Sequence, residues 1–243
     1  MIEQVALSLA GAPALAVYQG SPEQAGRRGT VLLYHGLGGD KEGKGTDLER
    51  LARAGFLAVG LDNVGHGERR YADFADRFNE ERARREGAAV EADFLAMVRE
   101  TAHEAPAVVD ALMARGWTDP ERLGIAGTSM GGYITYAAVL ADRRFRAATP
   151  IIGSPQWRLL LPGSPHHHPA RFFPLALLSQ NAELDTTVPS VYARTFHQRL
   201  EPYYASAPER VRYIEYPGVG HEMSPPNWEQ AWRHALDWFA RFL

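Results

Sequence analysis

Cysteine is absent from the 243 residues. That excludes disulfides, thiolate metal sites and a cysteine nucleophile. It also suits a reducing compartment, so a cytoplasmic location is the expectation. Neither charge dominates: 26 Lys and Arg stand against 29 Asp and Glu, a formal net charge of −3. No basic field marks a nucleic-acid partner. No uninterrupted apolar run approaches the roughly 20 residues that span a bilayer. The first stretch, "MIEQVALSLAGAPALAVYQG", has Glu3, no basic flank, and turn residues at Gly11 and Pro13, unlike a secretory leader. There is no phosphate loop, no dinucleotide glycine fingerprint and no metal-ligand spacing. The expectation is a chain with no metal or other cofactor, no nucleic-acid partner and no membrane partner.

What is present is an ordinary globular composition, 45% hydrophobic and 23% charged. A chain of this length buries roughly 70–75% of its unfolded surface, enough for a core without staples. "VALSL" and "ALAVY" flank Gly11-Ala12-Pro13 and predict an antiparallel hairpin at the start. After it, "VLLYHG", "FLAVGLD", "RLGIAG", "AATPIIG", "LALLSQ" and "VRYIEYPG" alternate with helical patterns. Short strands apolar on both faces, separated by amphipathic segments, predict a mostly parallel twisted sheet with helices on both faces. In the last segment, Trp228, Trp232, Ala235, Leu236, Phe239 and Phe242 recur at helical spacing after Ser224 and Pro225, a core-facing stripe.

No domain boundary interrupts this pattern, so residues 1–243 are expected to form one α/β domain. Two stretches exceed what connections need. Residues 69–92, "RRYADFADRFNEERARREGAAVEA", are dense in both charges and suit a solvated helical face with i,i+4 pairs. Residues 154–174 combine apolar bulk with five prolines. A loop of that length usually has a function, so both stretches are candidates for small cap or lid insertions.

The chemistry centres on "GIAGTSMGGYI", residues 124–134. Ser129 lies between Gly127 and Gly131, after a strand pattern and before a helix of small and apolar residues. On a sharp strand-to-helix turn, glycines two before and two after let the backbone pack closely while the hydroxyl projects above the sheet edge. The helix N-terminus then favours developing negative charge. A serine hydroxyl needs a base. Of nine histidines, His221 in "GVGHE" directly follows the last strand and so emerges at the same carboxyl-end rim. An orienting carboxylate is offered after another strand by "LALLSQNAELDTTVPS", as Asp185 or as Glu183.

Taken together, "YHGLGG", "LDNVGHGE", "GTSMGG", "LDTTVP" and "GVGHE", each at a strand end and in this order, resemble the α/β-hydrolase family over nearly the whole chain. The spacers and acid segment are most similar to the branch of small serine esterases and peptidases akin to dienelactone hydrolase and prolyl oligopeptidase. A dienelactone hydrolase proper would carry cysteine at position 129. The resemblance implies Ser129 as nucleophile, His221 as general base and Asp185 as its orienting acid, although Ala182 stands where the family often has glycine. It implies an oxyanion hole from the backbone N–H groups of Leu37 and Met130. The implied activity is hydrolysis of small carboxylic esters with short or medium acyl groups. A small peptidase, an acylaminoacyl hydrolase, a thioesterase and a non-catalytic binding protein are the alternatives.

Around this centre, Trp157, Leu160 and Phe172, with Leu159, Leu161 and Phe173, are candidates to roof the substrate pocket. His35, His66 and Asp62 are expected to be structural parts of loops beside the site. Lys41 and Lys44 are expected on solvated surface. The run His166-His167-His168 is expected in an exposed loop, because three adjacent imidazoles do not converge naturally on one ion.

Overall fold

A computed structural model describes residues 1–159, 161 and 163–243. Its elements run β1 (Ile2–Leu9), β2 (Ala12–Gln19), α1 (Pro22–Arg28), β3 (Thr30–Tyr34), α2 (Gly45–Arg53), β4 (Leu57–Leu61), α3 (Phe74–Arg77), α4 (Glu80–Arg85) and α5 (Gly87–Ala114). They continue with β5 (Leu123–Thr128), α6 (Met130–Ala141), β6 (Phe145–Ile151), β7 (Ala176–Ala182), α7 (Ser190–Leu200), β8 (Val211–Tyr216) and α8 (Pro225–Phe242). All eight strands form one sheet in the order β1-β2-β4-β3-β5-β6-β7-β8.

The expected hairpin is present. β1 and β2 pair antiparallel from Ile2↔Gln19 to Leu9↔Ala12, across Ala10 and Gly11, both at positive φ. β2 then runs antiparallel to β4, and every pairing from β4 through β3, β5, β6 and β7 to β8 is parallel. The alternation within β3 explains the two cores. Leu32 and Tyr34 face one apolar cluster, shared with Val108 of α5, Tyr136 of α6 and Phe196 of α7. Val31 and Leu33 face the other, shared with Leu51 of α2 and Trp232 and Phe239 of α8. β3 and β4 are buried on both faces and almost wholly apolar, which is why they appear in the sequence as continuous runs, whereas β7 carries buried, hydrogen-bonded Ser179, Gln180 and Asn181 near its end. The C-terminal stripe packs as expected, with Trp232, Ala235 and Phe239 fully buried.

Parallel pairing places the carboxyl ends of β3, β5, β7 and β8 along one rim of the sheet, where the loops bearing the chemistry emerge. The charge-dense stretch becomes α3, α4 and the first turn of α5. Its outer face carries the i,i+4 pairs Arg77–Asp73, Arg82–Glu86, Arg84–Glu80 and Arg85–Glu81.

Candidate active site

Ser129 sits between β5 and α6 at φ 55° and ψ −115°, a strained conformation for a residue with a side chain. The glycines around it are required sterically. A Cβ on Gly127 would lie 2.2 Å from the Gly131 carbonyl oxygen, and one on Gly131 would lie 2.1 Å from that of Tyr34. A Cβ on Gly132 would likewise lie 2.7 Å from the Cα of Gly153. Only a chain lacking these side chains can turn here and hold the Ser129 hydroxyl above the rim.

The loops after β7 and β8 are joined by backbone bonds from Glu183 N–H to Tyr216 O (3.1 Å) and from Leu184 N–H to Val219 O (2.8 Å). This stitching sets Asp185 beside His221. His221 Nδ1 donates to Asp185 Oδ2 at 2.7 Å, and its Nε2 lies 3.1 Å from Ser129 Oγ. The other carboxylate oxygen of Asp185 accepts from the amides of Thr187 (2.9 Å) and Val188 (2.7 Å), and its side chain is wholly buried. Glu183, the competing carboxylate, is exposed and accepts from the Gly218 amide at 2.8 Å. The structure therefore brings together Ser129, His221 and Asp185, and leaves Glu183 as a brace for the β8 turn.

The loop after β3 closes over the nucleophile. A Cβ on Gly36 would lie 3.6 Å from that of Ser129. His35 is buried, donates from Nδ1 to Gly36 O at 2.7 Å and accepts at Nε2 from the Asn63 amide at 3.0 Å. Burial pushes its pKa down to about 4, so the ring is the neutral tautomer those two bonds require. Fixing the Gly36 carbonyl turns the N–H of the same trans peptide, that of Leu37, to the opposite side. Among the described residues, neither the Leu37 nor the Met130 amide has an acceptor. Two free N–H groups thus flank Ser129, one of them at the N-terminus of α6.

The cleft above Ser129 has a volume of about 760 Å³. Its walls come from Phe78, Val90 and Phe94 on one side and Ile152, Val188 and Trp228 on the other, with Glu91 and Arg158 among them. The stretch 69–92 therefore supplies a wall of the cleft as well as a solvated face.

The expected roof differs. Trp157 and Phe172 are 3% and 1% exposed and lie in the core rather than on the cleft. Phe172 packs edge-on to Phe196 at 4.9 Å, where a large aromatic gains most from burial. Leu160 lies outside the described residues. Lys41 also departs from expectation. It is 1% exposed, and its ammonium meets Asp62 Oδ2 at 2.9 Å and Glu68 Oε1 at 2.6 Å. Lys44 is mostly covered, bonded to Asp47 (3.2 Å) and Thr128 (3.3 Å) with its ammonium over the Trp228 ring. His35, His66 and Asp62 are buried loop residues, as expected. His166 accepts or donates at Ser164 Oγ (2.7 Å), and among the described residues no three His, Cys, Asp or Glu side chains are placed to hold a metal.

The chain is similar to several known proteins. Residues 46–162 match the model of the prolyl oligopeptidase family. The chain is 25% identical over 242 residues to a Bacillus subtilis (strain 168) protein named "Putative esterase YitV", covering 88% of this chain and 89% of that one. Among solved structures, TT1662 from Thermus thermophilus superposes with a TM-score of 0.73 at 23% identity, over 98% of both chains. A "Putative Dienelactone Hydrolase" from Klebsiella pneumoniae subsp. pneumoniae MGH 78578 gives 0.72 at 20% identity, over the whole of both.

Proposed function

We propose that this chain, which has the α/β-hydrolase fold, cleaves small carboxylic esters through an acyl-enzyme on Ser129, with His221 as general base and Asp185 as its orienting acid. The observation that carries this reading is the continuous hydrogen-bonded chain from Ser129 Oγ through His221 to the buried Asp185, at the floor of an apolar cleft.

In this mechanism His221 Nε2 takes the Ser129 proton as Oγ attacks the ester carbonyl carbon. Asp185 holds the imidazole in the tautomer with hydrogen on Nδ1 and stabilises the imidazolium that forms. The tetrahedral oxyanion is received by the Leu37 and Met130 amides, and one such donor typically lowers the barrier by about 2.7–4 kcal/mol. His221 then returns the proton to the departing alkoxide. Water repeats the sequence on the acyl-enzyme, so one ester and one water give one acid and one alcohol. The apolar walls suit short or medium acyl groups.

The match to the prolyl oligopeptidase family model supports a second reading, cleavage of small peptides or acylamino acids by the same acyl chemistry. A p-nitrophenyl ester series from acetate to decanoate, with wild-type protein beside Ser129→Ala, tests the proposal. Activity with an optimum at short or medium chains, lost in the variant, is expected. An inert wild type that cleaves N-acetylaminoacyl anilides would move the peptidase reading to the front.

A further inference from the structure

Glu91 is a carboxylate in a wall otherwise built from Phe78, Val90, Phe94 and Tyr133. It is half-buried, and among the described residues it enters no ion pair. Its neighbour on α5, Asp93, is different: that carboxylate is taken up by Arg82 at 2.7 Å on the outer face. The cation facing Glu91 is Arg158, which is exposed and spends one guanidinium nitrogen on Thr187 O at 2.9 Å. Burial pushes the Glu91 carboxyl up, and the Arg158 guanidinium and amide offset this only in part. A carboxylate in a largely apolar wall that Arg158 neutralises only in part is costly until something else completes the neutralisation.

The side of the cleft follows from the mechanism. His221 must reach the leaving-group oxygen, so the leaving group lies toward the loop after β8. An acyl group laid against α5 and α6 meets Glu91, Phe94 and Tyr133, which line that part of the cleft. Phe94 and Tyr133 meet edge to face at 5.2 Å in that wall.

We propose that Glu91 is a specificity determinant that selects substrates whose acyl group carries a protonated amine, the carboxylate accepting the ammonium within the cleft. This rests on the reading of Ser129 as the nucleophile. Arg158 opposes the same ammonium, so the two residues set the preference between them.

The test uses three methyl esters, heptanoate, 2-aminoheptanoate and 6-aminohexanoate, with release of acid followed by chromatography. The wild type is expected to favour one of the amino esters over heptanoate by about tenfold in kcat/KM, the scale of one partly desolvated ion pair. Glu91→Gln should bring that ratio to about one or below, and Arg158→Gln should raise it. Preference for heptanoate in the wild type, or a ratio that survives Glu91→Gln, would overturn the proposal. Fluorophosphonate labelling of the same samples separates this from failure of the underlying reading: labelled protein that shows no amine preference loses only the Glu91 assignment. Unlabelled, inert protein loses both.

Discussion

Lys41 and Asp62 form a buried ion pair, 2.9 Å from Nζ to Oδ2, between the loop after β3 and the loop after β4. Asp62 is saturated further by the amides of Lys41 (2.9 Å) and Glu68 (3.0 Å). The pair thus locks the loop that carries Leu37. Removing Asp62 leaves the Lys41 ammonium to the exposed Glu42 and Glu68 carboxylates and orphans two amides, so Asp62→Ala is expected to cost about 1–3 kcal/mol of stability. Urea denaturation measures it. The apolar double variant Lys41→Met/Asp62→Leu should recover part of that loss.

Asp185 is held by the Thr187 and Val188 amides independently of His221. Asp185→Asn should therefore keep its position and change mainly the His221 tautomer, with kcat falling on the order of 10⁴-fold and little change in Tm. Glu183→Gln should leave kcat within about threefold, since that side chain only braces the Gly218 amide. Steady-state kinetics on one ester compares the two.

Gly131 in the nucleophile turn and Gly87 at the start of α5 differ sharply in what surrounds them. Gly131→Ala would press a methyl against the Tyr34 carbonyl and should abolish folding or activity. At Gly87, the first residue of α5, an added Cβ meets nothing within 4 Å. Gly87→Ala should stabilise by about 0.4–1 kcal/mol through the unfolded chain. Thermal melts of the two variants show the contrast.

Two buried histidines make stability sensitive to acid. Burial pushes His35 down to about 4 and His197 down to about 3, the latter with Nε2 on Ser179 Oγ at 2.7 Å. Both bind a proton in the unfolded chain near pH 6.5 but stay neutral in the folded one. Unfolding therefore takes up protons as pH falls below 6.5, and stability drops with it. Between pH 7 and pH 5 each residue should cost about 2 kcal/mol. Urea midpoints across that range measure the slope, and His197→Phe should reduce it by one histidine's share, since burial also holds His66 and His166 down.

Much of this was legible beforehand, for physical reasons. β3 to β6 are buried at nearly every residue and mostly apolar, so they stand out as runs, while β8 is half-buried and carries Arg212 and Glu215. Ser129, Asp185 and His221 each follow a strand, and parallel pairing sends all such positions to one rim. Trp157 and Phe172 were misplaced because a large aromatic in a proline-rich loop has the same composition whether it roofs a cleft or fills a core. Lys41 was misplaced because its burial depends on Asp62, 21 residues away, and a lysine among glycines otherwise suggests solvent. Glu91 and Arg158 gave no signal. Glu91 lies in a stretch whose many charges are mostly on the surface, and only the fold turns it into the cleft. Trp228 looked like packing alone, yet it lines the cleft while packing edge-on to Trp232 at 6.4 Å.

The central claim is that Ser129 is an activated nucleophile. Its most direct test is intact-mass and peptide mass spectrometry after treatment with a fluorophosphonate. One adduct per chain is predicted, mapped to the peptide containing Ser129, absent in Ser129→Ala and greatly slowed in His221→Ala. Folded protein that takes up no adduct, or takes it up equally in Ser129→Ala, would contradict the account.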